Sequence, residues 1–321
     1  MTSTQMHRKD FLRALGLASA AAILPVFKSQ ARAAMITPAQ PNRCVRAVHL
    51  TDIHIETTDR AEYGFRAALR SIRQLTDKPD FLLNGGDAIM NEITENPESL
   101  SAEWGLFHSI LKEENELPVY HCIGNHDLKN FILPDASHSQ AKQYALQQYG
   151  LQKPYYHFKQ NEWHFLVLDS IHGHTTFPGY YGKIDDEQMT WLRQELASIP
   201  AKEFVCIMSH IPILAICTLF DGSGVKHRQW NVPDNSLHAD AAALRDLFFQ
   251  YPNIRCCLSG HIHLVDHVNY LGIDYYCNGA VCGSWWKGKH QQFAPSYSVM
   301  NFYDDGSTER ELVYYQWEKA V

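Results

Sequence analysis

Val45-Arg46-Ala47-Val48-His49-Leu50-Thr51-Asp52-Ile53-His54 is an apolar run that stops abruptly on a carboxylate and an imidazole. The run, Val45–Thr51, has the length and the Val/Leu content of a buried strand. The same punctuation recurs along the chain. Phe81–Asn84 runs into Gly85-Gly86-Asp87, and Val119–Ile123 into Gly124-Asn125-His126-Asp127. Phe204–Met208 is followed by His210-Ile211-Pro212, Ile254–Leu258 by Gly260-His261-Ile262-His263, and Trp163–Leu168 by Asp169. Between the runs lie helical patterns. Phe65, Ala68, Leu69, Ile72 and Leu75 share one face, Asp185 with Gln188 reads as a capping box ahead of Met189, Leu192 and Leu196, and Leu244, Leu247 and Phe248 mark a further helix. Alternating strands and helices predict an α/β layered fold on a mostly parallel sheet. After Asp266 the turn-separated runs Tyr270–Cys277 and Ser296–Tyr303 predict a second, more antiparallel sheet. Ile211–Leu237, without periodicity, predicts a long, partly ordered loop over the site.

The chain has 321 residues, 45% of them hydrophobic, with 28 Lys and Arg against 35 Asp and Glu. That is ample material for a core and too apolar for disorder. The acidic balance speaks against a partner recognised through phosphate charge, such as a nucleic-acid duplex. No apolar run reaches the ~18–20 residues that span a bilayer, so stable membrane insertion is not expected. Residues 1–33 form a different kind of segment. Basic His7-Arg8-Lys9-Asp10-Phe11-Leu12-Arg13, a weakly apolar stretch from Ala14 to Phe27, and Ala31-Arg32-Ala33 make the pattern of an export signal, similar to a twin-arginine signal with Lys9 in place of the second arginine. The expectation is a partner in the export machinery, a periplasmic or otherwise exported location, and one domain over residues 34–321. Cleavage after Ala33 would remove five basic residues and one acidic one and leave a net charge near −11. Of eight cysteines, Cys122, Cys206, Cys256 and Cys257 lie inside strand-like runs and read as small hydrophobes. A disulfide among Cys44, Cys217, Cys277 and Cys282 stays open at this level.

Five strand tips at the carboxyl edge of an α/β sheet can share one crevice. There they would assemble Asp52, Asp87, Asn125, His54, His210, His261 and His263. Such groups are costly to bury together unless a cation supplies compensating charge. Mixed nitrogen and oxygen donors without thiolate suit Fe, Mn or Zn. Seven ligands exceed one ion and suit two divalent ions sharing a bridge, for which Asp87 is the best candidate. Singly, each motif is no more than a turn at a strand end; their order and common position carry the argument.

At these residues the sequence resembles the calcineurin-like metallophosphoesterase superfamily, matching D-x-H, G-D, G-N-H-[DE], H and G-H-x-H in order from Val45 to His263. The resemblance implies a four-layer α/β/β/α sandwich of two mixed sheets flanked by helices. It implies that Asp52, His54, Asp87 and His263 hold one metal and that Asp87, Asn125, His210 and His261 hold the other. His126 would stand beside the leaving-group oxygen, with Asp127 orienting its ring, and Asn125 and His126 would contact substrate. The implied chemistry is in-line hydrolysis of a phosphoester by a hydroxide shared between the metals. Met90 stands where purple acid phosphatases carry a tyrosine, and Ala88-Ile89-Met90-Asn91 lacks the arginine of serine/threonine protein phosphatases. The likeness is nearer to bacterial cyclic-nucleotide-type small phosphodiesterases. The expected substrate is a small phosphodiester. The alternatives are a phosphomonoesterase or nucleotide pyrophosphatase, and, in another class, a metal-bound scaffold without activity. Trp285 and Trp286, read as strand neighbours pointing to opposite faces, are candidates for stacking on a base or sugar. His172 and His174 are read as loop residues.

Overall fold

Alternation along each central strand decides which layer every apolar side chain enters. In the computed structural model, which describes residues 40–90, 97–128, 138–176, 178–221, 224–226 and 228–317, the chain runs β1 (Arg43–Leu50), α1 (Asp59–Arg73), β2 (Phe81–Asn84), α2 (Pro97–Glu114), β3 (Val119–His121) and α3 (His138–Tyr149). It continues with β4 (Tyr156–Gln160), β5 (Trp163–Val167), β6 (Ile171–Gly173), β7 (Tyr180–Gly182), α4 (Asp186–Ser198), β8 (Phe204–Met208), a 3-10 turn (Cys217–Phe220), β9 (Gly224–Lys226), β10 (Gln229–Asn231) and α5 (Ala241–Phe248). The last strands are β11 (Ile254–Ser259), β12 (Val265–Tyr270), β13 (Ile273–Asn278), β14 (Ser296–Tyr303) and β15 (Thr308–Tyr314). The export-signal pattern of residues 1–33 lies outside the described residues.

Two mixed sheets result. One has the order β15-β14-β1-β2-β3, the other β12-β13-β11-β8-β5-β4. Val45, Ala47, Phe81 and Leu83 from the first sheet meet Phe165, Val167, Cys206, Met208 and Leu258 from the second in one apolar layer. The intervening residues point the other way: Val48, Leu50 and Leu82 pack with α1, α2 and α3, while Leu166, Val205 and Ile207 pack with α4 and α5. The period of two thus yields the helix–sheet–sheet–helix order.

The strands after Asp266 do not build a separate antiparallel sheet. β13 joins β11 in parallel with β12 antiparallel at its edge, whereas β14 inserts antiparallel between β1 and β15. Tyr270–Cys277, read as one strand, is a hairpin turned at Leu271 and Gly272, both at positive φ (53° and 81°); two successive left-handed residues make the tight turn that matches strand twist. In α4, Asp185 caps the helix by accepting the Gln188 N–H at 2.7 Å. The Gln188 side chain does not reach back to complete the box; it is buried and bonds the Asp169 N–H and carbonyl instead. The long loop Ile211–Leu237 contains the 3-10 turn and the β9–β10 hairpin, and His172 lies on the β6–β7 hairpin with His174 just beyond β6.

Candidate metal centre

All five polar tips follow parallel strands at their carboxyl ends, β1, β2 and β3 in one sheet and β8 and β11 in the other. Each chain must turn sharply there. Asp52, His54, Asp87, His261 and His263 all have positive φ, between 47° and 70°, a region that side-chain-bearing residues rarely occupy and that concentrates at functional sites. Backbone bonds hold these turns against one another: Asp52 N–H donates to the Gly86 carbonyl, Ile53 and His54 N–H to the Asp87 carbonyl, and Gly260 N–H to the His210 carbonyl. At Gly86 (φ 102°) a Cβ would stand 2.7 Å from the His210 ring and the Gly124 backbone, so glycine is what lets the tips close up.

The seven predicted residues come together. His54 Nε2 lies 3.0 Å from His263 Nε2 and 3.6 Å from Asp87 Oδ2. Asp52 Oδ1 is 3.4 Å from His263 Nε2. On the other side of Asp87, the same Oδ2 lies 3.2 Å from His210 Nε2, which is also 3.2 Å from Asn125 Oδ1. His261 closes a group with Asp87 and His210 whose ligand atoms all fall within 4.8 Å of one another.

The donor set fits divalent cations. His210 Nδ1 donates to the Gly85 carbonyl at 2.8 Å and His263 Nδ1 to the Gly283 carbonyl at 2.6 Å. With the proton fixed on Nδ1, each Nε2 turns a lone pair inward, the outer-shell arrangement of metal-ligating imidazoles. Lone pairs and carboxylate oxygens facing one another at such range need positive charge between them. Protons supply part of it. Burial opposes charging His210, but Asp87 outweighs it and lifts the ring to about 9. His263 is likewise raised, burial being outweighed by Cys282 and Asp52, while burial holds His54 low and His261 at about 4. Asp52 and Asp87 stay ionised despite burial because His263 and His210 face them. A bound cation would replace those two protons.

The structure reassigns three of the sequence readings. Asp127 does not orient His126. Its fully buried carboxylate accepts the N–H groups of Asp87, Ala88 and Gly124 at 2.8–3.0 Å and the Tyr149 hydroxyl at 2.8 Å; backbone donors that would otherwise be stranded have taken it up. The His126 ring is oriented by the Met90 carbonyl, 2.6 Å from Nδ1, and stands edge-on to His54 with centroids 4.5 Å apart. Trp286 is no substrate platform: it is 1% exposed, and its indole N–H donates to the His54 carbonyl at 3.0 Å. The pair lies in a turn rather than a strand, with φ of 47° and 60°, which is why alternation misjudged it. Trp285 is the half-buried member, 4.7 Å from the His263 ring and 6.2 Å from His54.

Sequence reasoning missed Cys282, whose buried thiol lies 3.9 Å from His263 Nδ1, and the rim residues Tyr180, Asp221 and His290. Tyr180 stands 6.0 Å from the His261 ring, and His290 lies 5.6 Å from the His263 ring and 3.7 Å from Asp221. No motif marks them, because they reach the site from loops and a short hairpin.

Residues 45–265 match the calcineurin-like phosphoesterase family model. The chain is 21% identical over 280 residues to a 3',5'-cyclic adenosine monophosphate phosphodiesterase, CpdA, of Escherichia coli K12, covering 84% of this chain and 89% of that one. It is 24% identical over 236 residues to a probable glycerophosphodiester phosphodiesterase, GpdQ, of Arcobacter nitrofigilis, covering 68% and 71%. Its fold resembles that of a dimetal phosphatase from Danio rerio (TM-score 0.60, 16% identity), covering 86% of this chain and all of the other. With a family match across most of the chain and a cation-ready cluster at its strand tips, the chain belongs to the calcineurin-like phosphoesterases and is a metal-dependent phosphoric ester hydrolase.

Proposed function

We propose that this chain hydrolyses a small phosphodiester at a centre for two divalent ions of the Fe, Mn or Zn type. The observation that carries the reading is the single Asp87 oxygen lying 3.6 Å from His54 Nε2 and 3.2 Å from His210 Nε2, between two sets of inward lone pairs. Asp52, His54, Asp87 and His263 would hold one ion, and Asp87, Asn125, His210 and His261 the other. Bound there, the ions would supply Lewis acidity and a nucleophilic oxygen at neutral pH.

The chain's own residues do the rest. Asn125, whose Oδ1 lies 3.2 Å from His210 Nε2, would also hold a phosphoryl oxygen. His126, half-buried and next to His54, is positioned to give a proton to the departing alkoxide, for which imidazole suits neutral pH. With Nδ1–H spent on Met90, the proton given must come from Nε2. Trp285 offers a half-buried aromatic face at the rim, suited to stacking on a planar leaving group such as a base. The relatives named for cyclic-nucleotide and glycerophosphodiester hydrolysis support a diester over a monoester.

Turnover of bis(p-nitrophenyl) phosphate against p-nitrophenyl phosphate, after loading with Mn, Fe or Zn, tests this. The reading expects the diester to be preferred. A preference for the monoester would assign the site to phosphomonoesters, and bound metal without turnover of either would indicate a scaffold. The pattern of residues 1–33 supports export before action, with removal of the segment after Ala33; N-terminal sequencing of the secreted protein tests that.

A further inference from the structure

Ile211–Leu237 leaves β8 at the metal-centre end of the sheet, and its first half is pinned. Asp266, in β12, accepts the N–H groups of Ile216 and Cys217 at 2.5 and 2.9 Å. Gln291 donates to the Phe220 carbonyl at 3.1 Å, and Asp221 lies 3.7 Å from His290 beside the His263 ring. Underneath this strap, Cys217 packs with Ala215, Ile262, Leu264 and Cys277 in a small apolar cluster of its own. Cys277 is in β13, with its thiol 3.4 Å from the carbonyl of Gly260, the residue that opens Gly260-His261-Ile262-His263. Asp266, which holds the Cys217 N–H, pairs directly with Cys277 across β12 and β13, so the two cysteines meet in this one cluster, 6% and 1% exposed.

We propose that Cys217 and Cys277 are a disulfide-forming pair that locks the strap to β13, beside the strand tip bearing His261 and His263. A second pair of neighbouring cysteines, Cys206 and Cys256, does not compete. Those two are in register on neighbouring strands, wholly buried between the sheets where no oxidant reaches. Cys217 sits in a surface turn instead. The oxidant is an external disulfide of the glutathione type. The Cys217 thiolate attacks one of its sulfurs and expels the other as thiolate; the Cys277 thiolate then displaces the bound half. Two protein thiols are oxidised, one external disulfide is reduced to two thiols, and the protons pass from the cysteines to the released thiolates. Cys217 lies in the 3-10 turn and Cys277 within β13, 6% and 1% exposed, so Cys217 is the thiol that an external disulfide meets first. The bridge would close a loop of about sixty residues and restrict the unfolded chain accordingly.

The full chain, refolded with a glutathione redox couple and separately with dithiothreitol, tests this. The oxidised sample should titrate two fewer of its eight thiols after denaturation. Non-reducing peptide mapping should yield the Cys217–Cys277 cross-link, and dithiothreitol should lower Tm in the parent but not in Cys217→Ser. Eight reactive thiols under both conditions, a Cys206–Cys256 cross-link instead, or a reductant-sensitive Tm that survives in Cys217→Ser would overturn it. If Cys217→Ser fails to fold, the mapping of the parent decides alone.

Discussion

Asp87 uses its two carboxylate oxygens differently. Oδ2 faces both imidazole groups, while Oδ1 accepts the His126 N–H at 2.8 Å, so one side chain would fix the proposed cation positions and holds the backbone of the candidate acid. Asp87→Ala is therefore expected to lose metal at both positions and all phosphodiester turnover; elemental analysis that still finds two ions would refute the bridging role. His126→Ala should keep the metals and slow hydrolysis by about 10²–10⁴-fold, the usual contribution of a positioned acid. Its neighbour Asp127 behaves oppositely. Removing its carboxylate strands three buried N–H groups and a hydroxyl, each costing about 1–3 kcal/mol when unsatisfied. Asp127→Ala should lower stability to urea by at least ~3 kcal/mol, and a loss under ~1 kcal/mol would mean that water replaces the carboxylate at no cost. Adjacent residues in one motif thus divide chemistry from support. The sequence could not make that division, because a carboxylate beside a histidine reads as its partner until the backbone donors around it are seen.

At the scale of elements, the strands were legible wherever both faces are buried. Phe81–Asn84, Phe204–Met208 and Ser296–Tyr303 end where their apolar runs end. Legibility failed where a turn hides inside an apolar run, as at Leu271-Gly272, or where left-handed backbone interrupts alternation, as at Trp285-Trp286. Sheet membership was illegible for the strands after Asp266, because pairing partners are chosen by distant strands and not by local pattern. The meeting of the seven candidate residues was legible because a strand tip is a fixed place in an α/β layer, whereas rim residues on loops have no such address. One helix residue shows how an element serves the centre from a distance. Gly64 of α1 leaves room for the Trp286 ring: a Cβ there would stand 2.1 Å from it, and Trp286 holds the His54 carbonyl. Gly64→Ala must push the indole away, against an overpacking cost of about 1–3 kcal/mol. The expected result is a lower Tm together with weaker metal retention; metal affinity unchanged beside a lowered Tm would show that His54 does not depend on that indole.

At the scale of the whole molecule, the centre is a seam. Asp52, His54, Asp87 and Asn125 follow strands of one sheet, while His210, His261 and His263 follow strands of the other. Cations held by residues from both layers would bind the folded chain and have no assembled site in the unfolded one, so they would stabilise folding by mass action. At a free ion concentration a hundred times Kd, each ion would add about 2.7 kcal/mol, which for a chain of this size should move Tm by several degrees. Because the ligands straddle the sheets, that gain belongs to the docking of the layers as well as to the loops. Scanning calorimetry with a chelator and then with Mn²⁺ restored should show one cooperative transition falling and recovering. In Asp87→Ala the same additions should leave the transition where it is. A parent transition indifferent to chelation, in protein shown by elemental analysis to have lost its metal, would mean that apolar packing alone docks the two sheets and that the seam contributes only to catalysis.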